Sequence, residues 1–227
     1  MQENIKDYLN TYKEVELFQG IEKKQIISML ECFRAYIKKY QKNEFMILFE
    51  EHVDCIGVVL EGNVLMIKED LFGNKTTLVN VKPKELFGET FACGQMIQST
   101  VSFVAGADTK VLYLPYQKVL HSCKEECEVH YRLIENLVSL IAKKNIQLMQ
   151  KIEVISKKTL REKIVAFLVI QGEKKKSQYF SIDMGRIKMA EFLCADRSAL
   201  TRELKQMKQE GLIDYDKDMF RILKPLN

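Results

Sequence analysis

No apolar run in the 227-residue chain approaches the roughly 20 residues that a membrane-spanning helix requires, so no transmembrane segment is expected. Met1 leads into the charged stretch MQENIKDY without a signal-peptide pattern, and the cytoplasm is the expected location. Cysteines at 32, 55, 93, 123, 127 and 194 are too scattered for a compact disulfide framework, which makes reduced thiols the default. With three histidines, the chain lacks the clustered strand ligands that a metal-dependent β-roll enzyme would need. P-loop, nucleophile-elbow and dinucleotide-binding fingerprints are also missing, and no enzyme activity is expected.

What is there divides by charge. From Lys157 onward stand 16 Lys and Arg against 10 Asp and Glu, whereas residues 1–156 hold 19 against 21. Neutralising phosphate supplies most non-specific affinity for nucleic acid, so the C-terminal part is where such a surface belongs.

Residues 1–33 read as short amphipathic helices, with Ile26, Ile27, Met29 and Leu30 apolar. From Phe33 to about Tyr116 the period changes. Segments at Tyr36–Ile37, Phe45–Phe49, Ile56–Leu60, Val64–Ile67, Thr76–Val81, Val101–Ala105 and Val111–Leu114 are β-prone. Turn formers such as Glu61-Gly62-Asn63, Gly73-Asn74 and Lys82-Pro83-Lys84 divide them. This spacing predicts an antiparallel roll that can enclose a ligand. Within it, Gly88 allows close backbone approach, and the amides after it either cradle an anion or belong to a plain strand connection.

Glu125 to Ser156 reads as one long helix with a narrow stripe of Ile134, Leu137, Ile141, Leu148, Ile152 and Ile155, interrupted at Asn145. Such a stripe suits a two-fold coiled-coil pairing, in which a polar Asn145 helps to fix register. Thr159 with Glu162 forms a capping box for the next helix, which Gly172 and the charges after it are expected to end. Tyr179–Ile182 reads as a strand, and Leu212–Tyr215 with Met219–Leu223 as a closing hairpin. The expected fold is α+β: a β-roll over 1–124, the long helix over 125–156 and a winged helix-turn-helix over 157–227.

Between the last strand and the hairpin, Ile187, Ala190, Phe192 and Leu193 make a short apolar stripe, and Cys194-Ala195 is small enough for a tight turn. Asp196 then stands at an N-cap, where its carboxylate is expected to accept from the first free amides. Leu200, Leu204 and Met207 form the buried face of the second helix, and Gly211 its C-terminal stop. Arg197, Ser198, Thr201, Arg202, Lys205 and Lys208 lie elsewhere on the cylinder, as insertion into a major groove requires.

The order of parts, with Phe87-Gly88-Glu89 in the roll and RSALTREL followed by KQEGLI near the end, resembles the Crp/Fnr family of bacterial transcription regulators. The resemblance implies a homodimer on a palindromic double-stranded DNA operator, with RNA polymerase as a partner if the protein activates and no role for a membrane. It places Arg197, Ser198 and Arg202 at base-reading positions, and Arg186 at a phosphate-contacting one that Lys188, Thr201 and Lys205 would support. Ser198 stands where some members have a glutamate, so the operator is expected to differ from that of the cyclic-AMP receptor protein.

In the sensor, the resemblance brings Gly88, Glu89, Ser99, Thr100, Leu148 and Met149 to the effector pocket. Ser99-Thr100 stands where nucleotide-binding members carry an Arg-Ser pair, and the missing cation argues against classical cyclic-AMP binding. Leu148-Met149 replaces the polar pair that meets the purine. The expected effector is an unidentified small molecule, and no resident cofactor is expected. Cys32 stands alone in the region where iron–sulfur members of the family carry a cysteine group, so no cluster is expected.

One constellation, His121, Cys123, Cys127 and His130, suits zinc or a redox switch if helical, and otherwise is ordinary packing. A metal- or redox-sensing regulator of the same fold is therefore one alternative. A stand-alone cyclic-nucleotide-binding-like module is another, opposed by the winged domain.

Overall fold

A computed structural model of the chain describes residues 4–70, 72–94, 98–121 and 128–224. It divides into two compact units, Met1–Ala142 and Lys143–Asn227.

The first unit opens with helices α1 (Leu9–Tyr12) and α2 (Lys23–Cys32). Ile26, Met29 and Leu30 are the buried face of α2, and a Glu22/Gln25 capping box starts it. The strands follow as β1 (Tyr36–Tyr40), β2 (Phe45–Ile47), β3 (Cys55–Glu61), β4 (Val64–Glu69), β5 (Lys75–Val81), β6 (Leu86–Phe87), β7 (Ser102–Ala105) and β8 (Thr109–Pro115). They form two four-stranded sheets in the orders β1-β8-β3-β6 and β2-β7-β4-β5, with antiparallel pairing throughout. Ile56, Val58, Val64, Phe103, Leu112 and Leu114 fill the space between the sheets. The β5 edge is exposed except for Val81.

Helix α3 (Glu89–Cys93) follows β6, and α4 (Tyr116–His121) follows β8. Neither shows in the sequence, because five or six residues are too short to display a helical period.

Helix α5 (Glu128–Ile155) is 28 residues long. Leu133 and Leu137 belong to the core of the first unit. Leu137, expected in the pairing stripe, is thus a core residue: an apolar side chain at helical spacing serves either purpose, and packing against the roll decides it. Val138, Ile141, Leu148 and Ile152 are exposed.

In the second unit, α6 (Leu160–Lys175), β9 (Tyr179–Ser181), α7 (Arg186–Phe192), α8 (Arg197–Gln209), β10 (Ile213–Asp216) and β11 (Met219–Ile222) enclose a core of Ile164, Phe167, Leu168, Met189, Leu200, Leu204 and Phe220. The capping box expected at α6 is present: Glu162 N–H donates to Thr159 Oγ1 at 3.2 Å, and Thr159 N–H to Glu162 Oε2 at 3.0 Å. Gly172 does not end the helix. It lies buried inside α6, and a Cβ there would come within 3.3 Å of the Phe180 ring, so the residue serves close packing. The helix stops at Lys176, which takes a left-handed conformation. Strands β10, β11 and β9 form an antiparallel sheet in that order, so the expected hairpin gains a third strand.

Candidate nucleic-acid interface

Helices α7 and α8 meet at a turn in which Cys194 adopts φ 50°, while Ala195 N–H reaches back to Ala190 O at 3.0 Å. Met189, Ala190 and Leu193 bury the inner face of α7. Ile187, expected in that stripe, is 56% exposed, and Met189 takes its place. Leu200, Leu204 and Met207 are fully buried, as their spacing predicts. Gly211, at φ 67°, completes a Schellman motif: its N–H donates to Lys208 O at 3.0 Å, and that of Leu212 to Met207 O at 3.1 Å.

The opposite face of α8 carries Arg197, Ser198, Arg202 and Lys205, all exposed, with Lys188 exposed on α7. Among the described residues, the side chains of Lys188, Arg197, Arg202 and Lys205 make no ion pair. The helix thus has a saturated apolar side and a cationic side whose charge is left for an external anion.

One neighbouring expectation needs correction, and two neighbouring side chains have partners within the protein. Asp196 occupies the N-cap position, with ψ 138°, but its side chain makes no cap hydrogen bond. Thr201 is exposed, and its Oγ1 donates to Arg197 O at 2.8 Å, back onto the helix. Arg186 does not project freely. Its guanidinium lies 4.9 Å from the ring centre of Tyr215 and 4.8 Å from that of Phe220, while Nη2 donates to Lys217 O at 3.0 Å. Burial lowers its pKa below the usual arginine value, as desolvating a cation does. Arg186 is therefore the clamp that holds the wing onto α7. Finding this required the hairpin to be folded back, which no local pattern in the sequence reveals.

Two further cations of this unit are structural. Arg161, at the start of α6, donates to Glu203 at 2.5 Å and in bidentate fashion to Glu210 at 2.7 and 2.9 Å. Those hydrogen bonds fasten the outer end of α8 and lower the Glu210 pKa. Lys208 pairs with Asp214 at 2.6 Å, which lowers the Asp214 pKa.

In the first unit, Gly88 turns the chain at φ 77° between β6 and α3, and the Glu89 that follows is buried, with Thr90 Oγ1 3.5 Å from its Oε1. Ser99 is buried, but its hydroxyl donates to Val101 O at 2.7 Å, and its backbone is bonded to Glu50 and Glu51. Its side chain holds a loop together. Thr100 is exposed, and its carbonyl accepts from Lys68 Nζ at 2.7 Å. Lys68 also lies 4.7 Å from the Phe49 ring centre. A cation does stand beside Thr100, then, supplied by β4 and brought there by strand pairing and not by local sequence. Leu148 and Met149 are exposed on α5, at 58% and 62%.

Cys123 and Cys127 lie outside the described residues. His130 is buried with Nε2 against Val119 O and its ring against Phe33, which is a packing role, while His121 is exposed. Among the described residues, no three His, Cys, Asp or Glu side chains are grouped to hold a metal, and no helix is long and apolar enough to cross a membrane.

A β-roll of sensor type joined to a winged helix-turn-helix defines a class of DNA-binding regulators. Residues 37–126 match the model of the cyclic nucleotide-binding domain, and residues 162–226 that of the Crp-like helix-turn-helix domain. The chain belongs to the Crp/Fnr family of transcription regulators, which are not enzymes.

Among solved structures, the fold is similar to that of the c-di-GMP responsive global regulator CLP of Xanthomonas campestris, at 15% identity and TM-score 0.55 over 87% of this chain and 99% of that one. DNR from Pseudomonas aeruginosa is similar at 14% identity and TM-score 0.51, over 98% and 96%. A cyclic nucleotide-binding domain from Methylobacillus flagellatus aligns at 14% identity and TM-score 0.55, over 63% and 80%. At such identities the likeness is one of fold. No curated protein sequence matches the chain.

Proposed function

We propose that the protein is a homodimeric, sequence-specific DNA-binding regulator controlled by a small effector other than cyclic AMP. The observation that carries this reading is α8: its buried face is complete, and Arg197, Ser198, Arg202 and Lys205 are left exposed. Arg197 and Arg202 read bases, and Lys188 and Lys205 meet phosphates. A purified protein that fails to shift its own promoter DNA at low salt, with or without cell extract, would sink the proposal.

Pairing is supported by the exposed stripe of Val138, Ile141, Asn145, Leu148 and Ile152 on α5, whose steps of three and four are those of a coiled-coil seam. A two-fold dimer sets two recognition helices against half-sites about one helical turn apart. Sedimentation should report a dimer at micromolar concentration, and a monomer there would refute the pairing. RNA polymerase is the further partner if the regulator activates.

Cyclic AMP is disfavoured because the Ser99 hydroxyl is already bonded to Val101 O, the Ser99-Thr100 pair holds no arginine, and the Lys68 ammonium beside Thr100 is engaged by the Thr100 carbonyl and the Phe49 ring. Calorimetric titration with cyclic AMP should give no heat of binding. A saturable isotherm would overturn this part alone.

A further inference from the structure

At the N-terminus of α8, the cap position is held by a carboxylate that does not cap. A free N-cap aspartate normally accepts from the amide two or three residues on, because the first turn of a helix has no other acceptor for those groups. Asp196 has the extended backbone that suits this (φ −68°, ψ 138°), yet its side chain makes no such bond. Only its backbone carbonyl is used, accepting from Leu200 N–H at 2.9 Å. The side chain is exposed, directly before Arg197 and on a helix whose inner face is closed by Leu200 and Leu204. Among the described residues, no ion pair joins it to Arg197, Lys188 or any other cation.

We infer that Asp196 is a specificity-determining residue that accepts a hydrogen bond from the N4 amino group of a cytosine in each half-site. This rests on the reading of α8 as the DNA-reading helix. The first residues of such a helix are those that reach base edges in the major groove. There, an uncapped carboxylate meets phosphates, which repel it on every sequence, and two base-edge donors: adenine N6, which stands beside the N7 lone pair that repels a carboxylate, and cytosine N4, which a carboxylate matches. The charge therefore lowers affinity for all DNA and returns it only where cytosine is present, which is discrimination by rejection. Ser198, two positions further on, is neutral, so Asp196 is the acidic group at this end of the helix.

The test is selection of full-length protein on a randomised palindromic duplex, read by sequencing, with wild type, Asp196→Ala, Asp196→Asn and Asp196→Ser. Wild type should enrich one cytosine per half-site beside the base pair that Arg197 reads. Asp196→Ala should lose that preference, about tenfold or more, while keeping the Arg197 position and binding random DNA more tightly. Asp196→Asn should move the preference to adenine, which pairs with an amide through N6 and N7. Asp196→Ser restores a capping side chain, and should still read no cytosine. Retention of the cytosine preference in Asp196→Ala, or loss of the preference restored by Asp196→Ser, would overturn the inference. Failure of the wild type to enrich any site would instead refute the DNA-reading assignment beneath it. Thermal melting of each variant separates loss of reading from loss of fold.

Discussion

Arg186 and Arg197 carry the same charge on successive helices, and their surroundings give them different work. Among the described residues, Arg197 is exposed and makes no ion pair, whereas Arg186 lies against two mutually stacked rings and is bonded to the wing backbone. Arg197→Ala should cost about 1–3 kcal/mol at one base pair of each half-site and leave random DNA nearly unaffected, as read by binding to operator variants. Arg186→Ala should lower the unfolding free energy of the second unit by about 1–3 kcal/mol, through lost ring contacts and a carbonyl left without its donor. Arg186→Lys should not restore it, because an ammonium cannot reproduce a planar guanidinium lying over two rings. Denaturant unfolding followed by circular dichroism checks both. A variant at Arg186 that lost DNA affinity at unchanged stability would return this residue to phosphate contact.

Helices α6 and α8 are held by devices of two kinds, and these differ in how far the sequence exposes them. The Thr159/Glu162 box, the Leu200, Leu204, Met207 stripe and the Gly211 stop depend on residues three or four apart, and so were legible before folding. Thr159→Ala should destabilise the unit by about 1 kcal/mol. The Arg161 clamp, the Arg186 clamp and the Ser99 loop bond join residues that only tertiary structure brings together or that need a specific loop shape, and no periodicity announces them. Asp196 shows the converse: its position is right for a cap, but the bond is not made.

The Arg161 clamp also sets a pH response. Glu210 and Asp214 both titrate below their ordinary values, 4.5 and 3.8, because each is hydrogen-bonded to a cation. Groups shifted downward on folding contribute stability above those values and lose it as pH falls through the folded ones. The melting temperature of the second unit should stay level from pH 8 to about 5 and decline below it, with Glu210→Gln showing a shallower decline.

For the whole molecule, the α5 seam is the feature on which the proposed dimer depends. Ile152→Lys places a charge in it at a position 61% exposed in the single chain, so the fold should survive while pairing is lost. Sedimentation should move to monomer, and operator affinity should fall by tenfold or more, since two linked half-site contacts become independent. An unchanged dimer would move the interface elsewhere. The roll, the long helix and the winged unit are all readable from changes of period, whereas the surroundings of Ser99 and Thr100 are not, because strand pairing and not local sequence brings Lys68 beside Thr100.

Helix α5 also limits how the chain can be taken apart. It lends Leu133 and Leu137 to one core and Val154 to the other. A fragment ending before Glu128 would open a hole in the roll, and one starting at Ser156 would do the same to the winged unit. Exchange of sensors or readers between relatives by recombination is therefore tolerable only where the crossover keeps both turns of this helix with their own partners, near the middle of α5 and not at either of its ends.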